Sequence, residues 1–113
     1  MEQNSPQLLK QIKTLLTVDH ILIDIVGDSS VEQTHGKIRC YCPIHGERLF
    51  RTLCIDIEDK SFKCSYTMCA GHRGGDLLTL YCMATNSTLM EATKYWAKRL
   101  SLDDQLMAEH RVV

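Results

Sequence analysis

The sequence predicts an α+β fold in which a small antiparallel sheet lies between N-terminal and C-terminal helices. Apolar residues recur at helical spacing near both ends of the chain, and they alternate with polar residues in the middle part. Two short pairs of cysteine and histidine, Cys42 with His45 and Cys64 with Cys69, flank a predicted hairpin in that middle part. The order of strand, ligand pair, strand, turn, strand and ligand pair is that of a zinc ribbon.

The first segment, about residues 1–27, is predicted to form two helices. Ser5 is the expected N-cap of the first helix, with a proline at the first helical position. The second helix begins at Thr17 or Asp19 and ends at Gly27. The apolar positions that share a helical spacing are Leu8, Leu9, Ile12, Leu15, Leu16, Ile21, Leu22 and Ile25.

The middle segment, about residues 30–75, is predicted to be rich in strands and to carry the ligand pairs. Residues 37–41 alternate in polarity and lead into the first pair. Residues 53–57 alternate in the same way and form the next strand. A polar turn at 58–61 then connects to a short strand that ends at Cys64.

The last segment, about residues 76–102, is predicted to be helical. Asp76 is the expected N-cap of one helix, and Thr88 with Glu91 forms the capping box of a second. The tail, residues 103–113, is polar and is expected to fray. The positions expected to face inward are Leu77, Leu80, Tyr81, Leu89, Ala92, Trp96 and Leu100.

Length and composition indicate one small module. The chain has 113 residues, which corresponds to a single domain over 1–113. Its formal net charge of −1 does not by itself indicate a nucleic-acid-binding protein. It begins without the basic and apolar regions of a secretion signal, and no apolar run approaches the ~20 residues of a membrane span. We therefore expect a cytoplasmic protein without membrane association, in which clustered cysteine and histidine serve as metal ligands.

The two ligand pairs predict a structural Zn²⁺ site. Thiolate and imidazole are ligands that Zn²⁺ prefers, and a closed shell of three cysteines and one histidine leaves no position for a substrate. Because four residues separate the members of the second pair, His72 stays open as an alternative to Cys69. The expected ligands are Cys42, His45, Cys64 and Cys69. Cys54 and Cys82 have no second ligand nearby and are expected to pack as small side chains. Cys40, two residues before Cys42, is expected to be a packed or partly exposed strand residue, with a role as a metal ligand as the less favoured alternative.

Basic and aromatic residues around the second ligand pair are candidates for contacts with single-stranded nucleic acid. Arg51, Lys63 and Arg73 are expected to line one side of the ribbon, with Tyr66 as the favoured stacking ring and Tyr41 and Phe62 as alternatives. The alternative is a solvated surface of mixed charge, because acidic residues nearly balance the basic ones in this segment.

From about residue 12 to 102 the chain resembles the CHC2-type zinc-binding domain of bacterial and phage DnaG-type DNA primases. Residues 35–45 resemble the glycine, aromatic and Cys-Pro-x-His run of that family, and residues 52–64 resemble its hairpin. Residues 70–78 resemble the glycine-rich turn that opens the next helix, and residues 91–102 resemble the closing helix.

The resemblance implies a module that grips single-stranded DNA template for a separate primase, polymerase or helicase subunit. The chain departs from the family in the longer spacing of its second pair and in residues 49–52, which replace a Thr-Pro-Ser motif. It also ends where a primase would continue into its catalytic domain, so no catalytic residues and no primer synthesis are expected. The alternative function is a protein-interaction adaptor, or a regulator of replication or transcription of the phage or mobile-element type, in which the zinc finger is a scaffold.

Overall fold

Two N-terminal helices, an antiparallel sheet and two C-terminal helices follow one another along the chain. The structure is a computed structural model in which residues 6–27 and 30–100 are described. The predicted α+β class is confirmed, whereas the predicted cap Ser5 and the tail 103–113 lie outside the described residues. The elements are α1 (Pro6–Leu15), α2 (Val18–Ile25), β1 (Glu32–Thr34), β2 (Lys37–Cys40), β3 (Leu53–Asp56), β4 (Ser61–Cys64), a 3-10 helix (Ala70–Arg73), β5 (Gly75–Asp76), α3 (Leu77–Thr85) and α4 (Leu89–Arg99).

The five strands form one antiparallel sheet in the order β1-β2-β3-β4-β5. The sequence analysis predicted the three central strands but neither edge strand. All three residues of β1 are exposed, so no alternation of apolar and polar residues marks that strand. The strand β5 has only two residues and runs directly into the N-cap of α3. Both edges form because the central strands offer free backbone donors and acceptors.

The register of the central strands separates a buried face from an open face. Arg39 of β2 and Lys63 of β4 both lie opposite Cys54 of β3, so these three side chains share the open face. The alternate residues are buried against the helices, and they are Ile38, Cys40, Leu53, Ile55, Phe62 and Cys64.

Side chains cap the helices at the places that the sequence indicates. The Thr17 hydroxyl accepts the amide of His20, and the His20 ring accepts the amide of Thr17 in return. Asp76 caps α3 by accepting the amide of Thr79. Thr88 and Glu91 form the predicted capping box of α4. Within the described residues, no helix is long and apolar enough to cross a membrane.

Helix packing follows the predicted spacing with two exceptions. The core includes Ile12, Leu80 and Trp96, each without exposed surface. Leu15 and Leu89 were expected to face inward, but about half of each side chain is exposed. Leu15 shares an exposed row of α1 with Gln7 and Gln11, whereas the buried row contains Leu8, Ile12 and Leu16, and Leu89 is the first residue of α4.

Candidate metal centre and basic groove

The four predicted ligands meet beside one end of the sheet. Cys42 and His45 lie in the turn that follows β2, whereas Cys64 ends β4 and Cys69 is the N-cap of the 3-10 helix. Their ligand atoms all lie within 4.8 Å of one another. These four residues can therefore hold one metal ion.

The spacing of the ligand atoms fits a tetrahedral ion. The sulfur atoms of Cys42 and Cys69 are 3.8 Å apart, and Cys64 Sγ is 3.7 Å from His45 Nδ1. With metal–sulfur bonds of about 2.3 Å and metal–nitrogen bonds of about 2.0 Å, tetrahedral edges are about 3.8 Å and about 3.5 Å. These two of the six edges lie within a few tenths of an ångström of the ideal values, and all six are within 4.8 Å, so the four residues can surround one ion.

The burial of the cysteines disfavours their charged thiolate forms when no cation is bound. Cys42 and Cys64 have no exposed surface, and Cys69 has almost none. Burial raises the pKa of the Cys42 thiol to about 12, and it also raises the pKa of Cys69. A metal ion bound here would supply the positive charge that stabilises thiolates, and the Gly71 amide donates to Cys69 Sγ at 3.3 Å.

The backbone around the 3-10 helix brings Cys69 close to β4. Gly74 has a φ of +82°, and a Cβ atom there would lie 2.8 Å from the carbonyl oxygen of Phe62. At Gly71 a Cβ atom would lie 2.6 Å from Ile44 Cδ1. Glycine is required at position 74, where the close atom belongs to the backbone, whereas at Gly71 the tip of the Ile44 side chain would have to move.

A carboxylate that the sequence analysis did not single out orients the histidine ligand. His45 Nδ1 faces the cysteines, and its Nε2 lies 3.2 Å from Glu47 Oε1. The other oxygen of Glu47 accepts the amides of Leu49 and Phe50, both at 3.0 Å. The hydrogen bonds from these two amides, together with the one to the His45 side chain, lower the pKa of the Glu47 carboxyl. Glu47 thus fixes both the ring of a ligand and the loop after it.

Glu47→Ala is expected to weaken metal binding about 10- to 100-fold, because such outer partners hold a ligating histidine in its tautomer and orientation. Competition with a chelator of known affinity measures the effect. Glu58→Ala, which removes an exposed carboxylate from the turn between β3 and β4, is the matched control and should leave metal affinity unchanged. Equal affinities for the two variants would show that Glu47 does not support the ligand.

The remaining cysteines and His72 lie outside the ligand cluster. The cluster contains Cys69 and not His72, whose Nδ1 lies 2.9 Å from the Cys64 carbonyl oxygen and donates to it. Cys40 is fully buried in β2, and Cys54 and Cys82 are partly buried. Each of these three cysteines packs as a small side chain, as the sequence predicts.

A basic groove of about 420 Å³ runs over the open face of the sheet. Two of the four residues predicted to bind nucleic acid, Arg51 and Lys63, line it, and Arg39 is a further cation that the sequence analysis left out. The Arg51 Nε donates to the Ser30 carbonyl oxygen at 2.7 Å, which holds the guanidinium at the rim. The lining consists of Arg39, Arg51, Thr52, Cys54, Lys63, Ser65 and His72, none of them acidic.

The other two predicted contact residues lie outside this lining. The Tyr66 ring packs against His45 with the ring centroids 4.8 Å apart, and about half of the tyrosine remains exposed. Arg73 is exposed at the end of the 3-10 helix. The structure therefore brings Arg51 and Lys63 together in one groove and places Tyr66 beside the metal centre.

Comparison with known proteins supports the fold. The sequence matches no protein-family profile and no curated protein. Among solved structures, the chain is similar to the crystal structure of the Aquifex aeolicus primase, which comprises zinc-binding and RNA polymerase domains. The TM-score is 0.65 at 17% sequence identity, and the match covers 81% of this chain and 21% of that one.

The match concerns the zinc-binding part of that primase and not its polymerase domain. The chain spans about a fifth of the length of the primase that it matches. The resemblance to a CHC2-type zinc-binding domain is therefore confirmed in fold and in the tetrad of three cysteines and one histidine.

Proposed function

We propose that the chain is a zinc-stapled module that grips single-stranded DNA along the open face of its sheet. In this role it presents template to a primase, polymerase or helicase subunit in another chain. The observation that carries the proposal is the groove lined by Arg39, Arg51 and Lys63, with no acidic residue in its lining.

Zinc is the proposed ion because three thiolates and one imidazole in a closed tetrahedron suit it best. Four protein ligands leave no position for a bound water, so the role proposed for the metal is structural rather than catalytic. An assay for template-directed primers with nucleotides and magnesium tests this point, and product from the isolated chain would contradict it. All six cysteines are free, which supports a reduced compartment such as the cytoplasm.

The charge of the open face is concentrated in the groove. Lys37 is paired with Asp56 at 2.8 Å, so that cross-strand row is close to neutral. Arg39 and Lys63 lie two strands apart, about 10 Å, and neither forms an ion pair with another described residue. Glu32 lies opposite Arg39 at the edge of the sheet without contacting it through an ion pair. Unpaired cations on one face can neutralise phosphates of an extended strand.

Replacing Arg39 and Lys63 together with alanine is expected to weaken binding of single-stranded DNA about tenfold or more. Three groove cations predict a slope of about −2 in log affinity against log salt, since each contributes about 0.7 for single strands. The double variant should reduce that slope to about −0.7. Fluorescence anisotropy with a labelled oligonucleotide at several salt concentrations measures both quantities. Arg73→Ala and Tyr66→Ala in the same titration test the two predicted contacts outside the groove.

The matched control is Lys94→Ala with Lys98→Ala, which removes the same charge from the exposed surface of α4. If this pair lowers affinity as much as the groove variant does, binding reflects overall charge and not the groove. Wild-type protein that shows no salt-dependent binding would contradict the proposal altogether. Metal content should be equal in all variants, because none of these residues is a ligand.

A further inference from the structure

The turn after the first ligand pair exposes two large apolar side chains. Leu49 is 77% exposed and Phe50 is 68% exposed, and arginines precede and follow them in the sequence. Neither apolar residue lines the basic groove, so binding of DNA there does not account for them. Exposed apolar side chains that stand together indicate a site of interaction.

The loop that exposes Leu49 and Phe50 is held in place by residues of the metal centre. The amides of Leu49 and Phe50 both donate to Glu47, which contacts the ligand His45 through its other oxygen. On a neighbouring side, the Tyr66 ring packs on His45. Two residues further along the same loop, Met68 is 79% exposed. We name Leu49, Phe50, Tyr66 and Met68 the knuckle patch, because both of its loops are held around one metal ligand.

We infer that the knuckle patch docks an acidic segment of a partner protein that inserts apolar side chains. Charge complementarity is the reason for proposing an acidic partner. Arg48 and Arg51 flank the apolar pair, and neither forms an ion pair with any other residue that the structure describes. The nearby carboxylate of Glu47 is already occupied by His45 and the loop amides. Carboxylates of a bound partner would supply the negative charge that these two arginines lack.

Two other occupants fit less well. In a contact between two knuckle patches, the arginines of both copies would approach one another and repel. A lipid surface is flat, whereas a cavity of about 630 Å³ is lined in part by Arg48, the residue that precedes Leu49 of the patch. The cavity has apolar walls from Ile25, Val26 and Pro43, which accept an inserted protein side chain better than a bilayer.

The test is a selection of random peptides displayed on phage against the zinc-loaded full chain. The double variant Leu49→Ser, Phe50→Ser serves as the counter-selection. We expect the enriched peptides to combine aspartate or glutamate with large apolar residues. In solution, the double variant should bind these synthetic peptides about tenfold more weakly than wild type. Ile23→Ser is the matched control, since Ile23 is 71% exposed on α2 and lies outside the patch.

Zinc content and melting temperature are measured first, so that a loss of binding is not a loss of fold. Basic or purely apolar peptides, peptides that bind the double variant equally well, or no enrichment would overturn the inference. Dependence of dimer formation on Leu49 and Phe50 would assign the patch to a second copy, and dependence of phosphatidylglycerol-vesicle binding would assign it to a membrane. Either result also overturns the inference. The affinity for single-stranded DNA should be the same in wild type and double variant.

Discussion

Replacing Cys42 with alanine is expected to unfold the metal-binding part of the chain and to abolish stoichiometric zinc binding. The free energy of binding at a structural zinc site is about 10–16 kcal/mol, and it is also folding free energy. A small domain has a total stability of only about 5–15 kcal/mol. Loss of one of the four ligands therefore removes a contribution as large as the stability of the whole fold.

Circular dichroism, thermal unfolding and metal analysis measure this effect together. Cys54→Ala is the matched control, because Cys54 is a partly buried cysteine of β3 that is not in the ligand cluster. The control should keep its zinc and melt close to wild type. A Cys42→Ala protein that melts like the control, or a metal-free wild type with an unchanged melting curve, would contradict a structural role for the metal.

Replacing Trp96 with alanine is expected to lower the free energy of unfolding by about 3–5 kcal/mol. Trp96 has no exposed surface and forms edge contacts with Tyr81 and Tyr95, with ring centroids 5.4 and 5.1 Å apart. The Arg99 guanidinium lies 5.0 Å from its ring, and Arg99 also binds Asp24 of α2 at 2.7 Å. The large cavity left by alanine would loosen the contact between α2, α3 and α4.

Trp96→Phe is the matched comparison for that prediction. The indole Nε1 is buried without a hydrogen-bond partner among the described residues, so phenylalanine removes an unsatisfied donor while keeping a ring. We expect Trp96→Phe to lower the free energy of unfolding clearly less than Trp96→Ala does. Urea unfolding followed by circular dichroism measures both variants, since Trp96 is the only tryptophan available for fluorescence. Equal costs would show that the ring packing contributes little.

Much of the fold was predictable because local signals agree with the final contacts. Thr17, Asp76 and Thr88 each act as an N-cap, as the sequence indicates. The central strands follow from alternation, because one face of the sheet is buried and the other is open. Leu15 and Leu89 were predicted wrongly because periodicity identifies an apolar stripe on a helix and does not show how much of its width the rest of the fold covers.

The candidate metal cluster was also predictable from residue types and spacing, although the sequence left His72 open as an alternative to Cys69. The contribution of Glu47 was not, because it depends on how the loop turns back toward His45. The full set of cations in the basic groove was not predictable from the sequence either. Arg39 joins Arg51 and Lys63 only through the pairing of β2, β3 and β4, a register that single residues do not reveal.

The proposed metal centre is a closed zinc site of three sulfur ligands and one nitrogen ligand, and X-ray absorption at the zinc edge tests this ligand set. The measurement uses the full chain purified without added metal, with the zinc content determined on the same sample. We predict one zinc per chain, three sulfur neighbours at about 2.3 Å and one nitrogen neighbour at about 2.0 Å. A shell of two sulfurs and two nitrogens would place His72 in the site instead of Cys69. An oxygen neighbour would indicate an open, water-bearing site, and either spectrum, or a metal-free folded protein, would contradict the claim.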